Sequence, residues 1–329
     1  MSSLPTEILE NRTGRNEALG PIRRASMGAM VASAFGLLVA CGVPSTIGAD
    51  EPLSVERGQF FEGEWPESKE SSPRVTSPVI STVLRERLRG ANFSGLVSDD
   101  AKAIGVRIDG HGFGYWLVPS GARDAQSPNS LAYSFNANLQ DTLPPGRHTL
   151  QLVGFDRDGR AGPVSESTIC VQSLRPDNGN ACFPQIAPPA LVLSLEWDSA
   201  ADLDITVVFP TGEVVTAGRP GVLNPDDSTA PPIARLVADS NNDCRQDSRQ
   251  REDVVFDELP PPGTYSIHAS LYRNCGSTSV SYSASYASRT QSGDTYGVRT
   301  RELGGGVLTS EQFQRGSELG TFVAQVKIQ

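Results

Sequence analysis

An all-β chain folded as two tandem antiparallel β-sandwiches is what the sequence predicts, and three observations predict it. The chain has 329 residues, about twice the roughly 150 residues of an average domain. Its 32 Gly and 24 Pro against three Met favour short strands joined by turns over helical bundles. Apolar residues recur with period 2 between clusters of Pro, Gly, Asn and Asp, the pattern of half-buried strands. A hydrophobic content of 38% with 20% charged residues suffices for ordinary cores and excludes wholesale disorder. The balance of 28 Lys+Arg against 38 Asp+Glu leaves a net charge of −10. That argues against nucleic acid as a partner, because neutralising phosphates needs a basic face.

The order of elements begins with an export signal over residues 1–40. Arg23 and Arg24 precede an uncharged run, Met27 to Ala40, which as a helix spans about 21 Å, short of the roughly 30 Å hydrocarbon core. Such a run is a signal-peptide h-region rather than a permanent span. It closes on Leu38-Val39-Ala40-Cys41-Gly42, which resembles a bacterial lipobox. The resemblance implies that Cys41 carries a lipid (diacylglyceryl and palmitate chains) and becomes the mature N-terminus. Gly42 after it, by resemblance to enterobacterial lipoproteins, directs the protein to the outer membrane, facing the periplasm or the surface.

Residues 41–72 are expected to be an acidic flexible tether. From 42 to 72 there are seven acidic groups and two basic ones, with Pro, Ser and Gly throughout and no apolar period. Phe60, Phe61 and Trp65 interrupt it. A weakly ordered hydrophobic spot is favoured for these three over docking on a domain or partner.

Residues 73–171 are expected as the first sandwich. Ala103 to Asp109, Gly114 to Val118, Leu131 to Leu139 and Arg147 to Phe155 read as strands. Leu131, Tyr133, Phe135, Ala137 and Leu139 share one face, and Trp116 belongs to the core. The stretch from Leu143-Pro144-Pro145-Gly146 through Phe155-Asp156-Arg157-Asp158-Gly159 resembles the late hairpin of bacterial Ig-like domains. The resemblance implies an Ig-like fold over about 100 residues.

A Pro/Asn/Gly-rich connector, 172–189, follows. Besides Cys41 the chain holds Cys170, Cys182, Cys244 and Cys275, an even set that in an exported protein reads as disulfides. Three pairings are possible. The local one, Cys170–Cys182 with Cys244–Cys275, fits best because each pair lies within one unit, and neither pair has the CxxC spacing of a Cys₄ metal site. Closing Cys170–Cys182 would stiffen the hinge.

Residues 190–329 are expected as the second sandwich. Leu191 to Asp198, Ala201 to Gly212, Asp239 to Cys244 and Pro262 to Ile267 resemble uncharacterised bacterial surface domains akin to the pre-peptidase C-terminal jelly rolls. The resemblance implies a jelly-roll-like sandwich of about eight strands at the cell surface, with no established catalysis. Leu143 to Leu150 and Leu259 to Ile267 share a Pro-Gly turn into a strand, one turn solution used twice.

Chemistry is sparse. No Gly-x-Ser-x-Gly, His-Glu-x-x-His or P-loop occurs, and His111, His148 and His268 are scattered. Asp239, Asn241 and Asp243 stand at i, i+2, i+4, with Asp247 and Glu252 beyond, and Asp202 and Asp204 share one strand face. Together Asp202, Asp204, Asp239, Asn241 and Asp243 could offer oxygens to Ca²⁺ if the two segments meet. Asx turns with a solvated acidic rim explain the same residues and are favoured. No cofactor is otherwise indicated. The expected function is a non-catalytic, lipid-anchored envelope protein that binds, adheres or scaffolds. Its partners would be the membrane, through Cys41, and an envelope protein or surface polysaccharide. The alternative is an exported hydrolase or an accessory module of one.

Overall fold

The computed structural model describes residues 48, 50–68, 73–80, 82–224, 229–309 and 319–329. The leader and Cys41 lie outside the described residues. Among those described, every long element is a strand and the one helical turn is a short 3₁₀ segment, Asn242–Cys244.

The first ten strands are β1 (Leu53–Val55), β2 (Gln59–Glu62), β3 (Val75–Ile80), β4 (Val83–Arg85), β5 (Ala91–Ser98), β6 (Ala103–Ile108), β7 (Gly114–Pro119), β8 (Ser130–Leu139), β9 (Gly146–Phe155) and β10 (Ser165–Gln172). They form a four-stranded sheet, β1-β8-β5-β3, facing a six-stranded sheet, β2-β7-β6-β9-β10-β4. This order is Ig-like: β3, β5 and β8 hold the places of strands A, B and E, and β7, β6, β9 and β10 those of C′, C, F and G. β4 runs parallel to β10. On β8, Tyr133, Phe135, Ala137 and Leu139 are buried and Ser134 and Asn136 exposed, so the period-2 face points inward as expected. Trp116 lies in the same core at 9% exposure.

The expectation of a flexible tether over 41–72 needs correction from Glu51 to Ser68. β1 pairs with β8 and β2 with β7, each covering an open sheet edge. The Leu53 carbonyl accepts the Trp116 indole N–H at 2.7 Å, so the tether satisfies a buried core donor. Phe60 packs on Trp116 with ring centroids 5.2 Å apart. On the outer face of the six-stranded sheet, Phe61 and Trp65 cover Tyr115, at 5.7 and 4.5 Å. Strands of three or four residues are too short to show a period, and only their partners' edges call them into being.

Ten further strands make the second sandwich: β11 (Leu191–Trp197), β12 (Asp202–Val208), β13 (Val214–Val215), β14 (Gly221–Val222), β15 (Ala234–Leu236), β16 (Arg251–Phe256), β17 (Gly263–Arg273), β18 (Ser279–Ser292), β19 (Thr295–Thr309) and β20 (Thr321–Ile328). The sheets are β14-β15-β16-β11-β18-β19 and β13-β12-β17-β20. The chain crosses between sheets after β11, β13, β16, β17 and β19, the alternation of a jelly-roll-like sandwich. Its core, with Leu193, Leu203, Ile205, Phe256 and Tyr265, is separate from that of the first sandwich.

Both Pro-Gly turns open a strand. Gly146 starts β9 at φ 145° and Gly263 starts β17 at φ 150°, values side-chain-bearing residues rarely adopt. At Gly263 a Cβ would also stand 2.3 Å from the Pro210 ring. The structure forms both local disulfides, Cys170–Cys182 and Cys244–Cys275. The connector is fastened to the β18–β19 hairpin as well. Arg175 donates to Thr300 Oγ1 at 2.7 Å and Ser285 Oγ at 3.0 Å, and the Tyr296 N–H donates to the Pro184 carbonyl at 2.7 Å.

Candidate functional site

On β12 the alternation splits cleanly. Leu203, Ile205 and Val207 are fully buried in the sandwich core, which turns Asp202, Asp204 and Thr206 to the other face of the sheet. β17 lies alongside, placing Ser270 opposite Asp204 and His268 opposite Thr206. A bulge between Asp202 and Leu203 shifts the register so that Asp202 meets Arg273. The loops that follow β13 and β15 fold over this face. The result is a cleft of about 340 Å³ lined by Asp202, Asp204, Thr206, Asp239, Ser270 and Tyr272, among others.

Asp202, Asp204 and Asp239 each present one carboxylate oxygen within 4.8 Å of the others. Asp202 is 1% exposed and Asp204 9%, while Asp239 is open to solvent at the rim. Asp202 Oδ2 accepts the Asp243 backbone N–H at 2.8 Å, but its Oδ1 is buried with no hydrogen-bond partner. Asp239 Oδ2 accepts from the Asn242 amide.

Burial, with Asp202 and Asp239 close by, pushes the Asp204 carboxyl up to about 7. Burial also pushes Asp202 up to about 6; Asp239 and Asp243 add to the rise, and the Asp243 N–H and Arg273 oppose it. Asp239, though open at the rim, is raised by partial desolvation and by the Asp243 and Asp247 charges, against the Asn242 hydrogen bond. Behind them, Glu252 on β16 is fully buried. Its oxygens accept the N–H groups of Ile205 at 2.7 Å and Ser240 at 3.2 Å. Burial and the Asp204 charge hold this carboxyl well above its ordinary range.

Of the five residues the sequence grouped, three converge and two do not. Asn241, 1% exposed, donates to the Ala201 carbonyl at 3.1 Å and accepts from the Asp247 N–H at 3.2 Å, which makes it a loop strut. The Asp243 carboxylate pairs with Arg273 at 3.0 Å, and only its backbone reaches Asp202. Left-handed backbone at Asn241, Asp243 and Cys244 (φ 61°, 53° and 65°) sets these directions, which spacing alone does not convey. Thr206 was accessible from the β12 alternation. Ser270 and Tyr272 enter only through strand register, and Glu252 only through the packing of β16.

The histidines stand elsewhere or without a nucleophile. His111 and His148 rings meet edge-on at 4.9 Å, and His148 Nε2 lies 2.8 Å from the Pro144 carbonyl. His268 packs on Phe322 at 5.6 Å with its Nδ1 buried and unpaired. Among the described residues no hydroxyl or thiol is hydrogen-bonded to a histidine. Nor is any helix among them long and apolar enough to cross a membrane.

No protein-family model matches the chain, and no curated protein does. Among solved structures, it is similar to fibronectin(III)-like modules of CbhA from Clostridium thermocellum, at 17% identity over 31% of this chain and 96% of that one, with a TM-score of 0.19. It is similar to dimeric latent PorU from Porphyromonas gingivalis at 13% identity, over 80% of this chain and 21% of that one, TM-score 0.20. The BspA C-terminal domain of a Streptococcus agalactiae AgI/II polypeptide matches at 10% identity over 78% and 99%, TM-score 0.18. At such scores the fold rests on the chain's own strand order, and the chemistry on its own side chains.

Proposed function

We propose that this chain is a non-catalytic binding module of the cell envelope, held to the membrane by a lipid on Cys41 and presenting two sandwiches to an envelope protein or surface polysaccharide. The observation that carries this reading is the make-up of the polar cleft on the second sandwich. It gathers carboxylates, hydroxyls and an amide over one sheet face, with no nucleophile–base pair among the described residues, which suits holding a ligand rather than breaking a bond. Two disulfides support an oxidising compartment outside the cytoplasm. Docking of the chain from Glu51 onward, whose carboxylate accepts the Phe113 N–H, shortens any spacer after Cys41, so the module would stand close to the membrane surface.

Fractionation tests the anchor. The full-length protein should partition with membranes and take up a fatty-acid analogue, and Cys41→Ser should do neither. Labelling of the Cys41→Ser protein would defeat the assignment. Pull-down of the intact anchored protein from its native envelope tests the role. A saturable partner is expected, whereas turnover of envelope glycan or peptide by the purified protein would favour the exported-hydrolase alternative.

A further inference from the structure

We propose that Asp202, Asp204 and Asp239 form a binding site for a hard divalent cation, of which Ca²⁺ is the fit. The inference goes beyond the envelope-module reading and does not rest on it, since it concerns one cleft and no anchor or partner.

Three carboxylates alone would not make a site. What sets this group apart is Asp202, a lining residue of the cleft that is only 1% exposed, whose Oδ1 is buried without a donor. A buried carboxylate oxygen with no hydrogen bond is costly unless something outside the fold supplies the missing positive charge. The protein supplies little. Arg273, the cation that acts on Asp202, is already paired with Asp243 at 3.0 Å. Asp204 takes no hydrogen bond among the described residues, and behind it the fully buried Glu252 adds a fourth acid whose oxygens are occupied by Ile205 and Ser240.

The geometry selects the class of ion. All candidate ligand atoms are oxygens, which suit hard cations rather than those that prefer thiolate or imidazole. Calcium bonds oxygen at about 2.3–2.6 Å, so oxygens on opposite sides of one ion stand about 4.6–5.2 Å apart. The three carboxylate oxygens fall within 4.8 Å of one another, inside that limit. Calcium also takes six to eight oxygens, and the cleft has room for water beside the Thr206 and Ser270 hydroxyls at its wall. The two ligand-bearing segments are held independently of any ion: β12 by its pairing with β17, and the Asp239 loop by Cys244–Cys275. Binding therefore needs little ordering of the chain.

The test uses the full chain stripped of metal, with CaCl₂ or MgCl₂ as the only ligand, read by equilibrium dialysis and by melting. One Ca²⁺ per chain is expected, with a rise in melting temperature of roughly 5 °C at a hundredfold excess over Kd, reversed by EDTA. Asp204→Asn and Asp239→Asn should each weaken Ca²⁺ binding by at least about tenfold. Asp204→Asn carries a second reading that guards against misfolding: in EDTA it should melt above wild type, because one buried charge is gone, yet gain at most about half as much from calcium. Asp294→Asn in the β18–β19 turn should respond like wild type. The proposal is overturned if calcium moves the wild-type melting temperature by less than about 1 °C, or if Asp204→Asn gains as much as wild type. An equal response to Mg²⁺ would overturn the assignment to calcium.

Discussion

Trp65 offers the sharpest test of how the N-terminal segment is held. Its ring lies 4.5 Å from Tyr115 and 6.1 Å from Phe155 by centroid, and the Arg107 guanidinium sits 4.9 Å above it. Its indole N–H donates to Gln151 Oε1 at 3.1 Å, an oxygen that also accepts from Arg107 at 2.9 Å. Truncating a fully buried Trp to Ala costs about 3–5 kcal/mol. Trp65 is half-buried, so about half of that, with about 1 kcal/mol for the hydrogen bond, gives a loss of roughly 2.5–3.5 kcal/mol for Trp65→Ala. A solvated linker residue would change stability by less than about 0.5 kcal/mol. Urea unfolding of the first sandwich, followed by the fluorescence of Trp116, reads the difference. Trp65→Phe keeps the stacking and should lose about 1 kcal/mol, while Glu67→Ala, exposed nearby, should lose nothing measurable.

A double-mutant cycle adds an independent reading. A Cβ on Gly105 would meet Trp65 Cζ3 at 2.6 Å and Phe155 Cε2 at 2.7 Å. Gly105→Ala should therefore cost more in wild type than in the Trp65→Ala background. A Trp65→Ala protein within about 0.5 kcal/mol of wild type, or strictly additive costs at the two positions, would refute the docking of this segment.

Three further predictions concern the rest of the chain. Removing Cys244–Cys275 by paired Ser substitutions should destabilise the second sandwich by about 3.7 kcal/mol on the loop-entropy account, and removing Cys170–Cys182 should cost about 2.8 kcal/mol; chemical denaturation of each double variant checks the order. With Asp202 held up at about 6 and Asp204 at about 7, both carboxyls bind their protons more tightly folded than unfolded. Their contribution is then fully present below about pH 4 and lost as pH rises through 6 to 7. Melting temperature in EDTA, corrected with Asp204→Asn as the baseline, should fall between pH 5 and pH 8, and a rise over that window would contradict the burial of these groups. Arg175→Ala removes two hydrogen bonds from a charged group to the β18–β19 hairpin, worth about 1.5 kcal/mol or more. Cleavage in the connector by a sparing protease should then accelerate roughly tenfold, and an unchanged rate would show that the connector is held by its other contacts alone.

Much of this architecture is legible from residues alone, because a half-buried strand advertises itself. Tyr133, Phe135, Ala137 and Leu139 alternate with polar neighbours, and β8 buries that face. Leu203, Ile205 and Val207 do the same on β12, so the placement of Asp202 and Asp204 together on the opposite face follows from period 2 alone. Locality was likewise enough for the cysteine pairs, since closing a short loop within one unit costs the chain least.

What pattern could not reach was decided by contacts distant in sequence. β1 and β2 exist because the edges of β8 and β7 are open to them, and Trp65 is ordered by Tyr115, Phe155 and Gln151, residues 50 to 90 positions away. Spacing put Asn241 and Asp243 with the acidic group, yet left-handed backbone sent one side chain to Ala201 and the other to Arg273. Conversely, Asp239 meets Asp202 and Asp204 only because the loop beyond β15 closes over the outer face of β12, and Glu252 stands behind them only because β16 packs across the sandwich. Alternation and local stereochemistry were enough to dictate the longer strands, β8 and β12 among them, and which way their side chains point. Which carboxylates share a cleft, and which are spent on struts and ion pairs, belonged to the tertiary structure, because loop backbone and strand register bring together groups that no sequence interval relates.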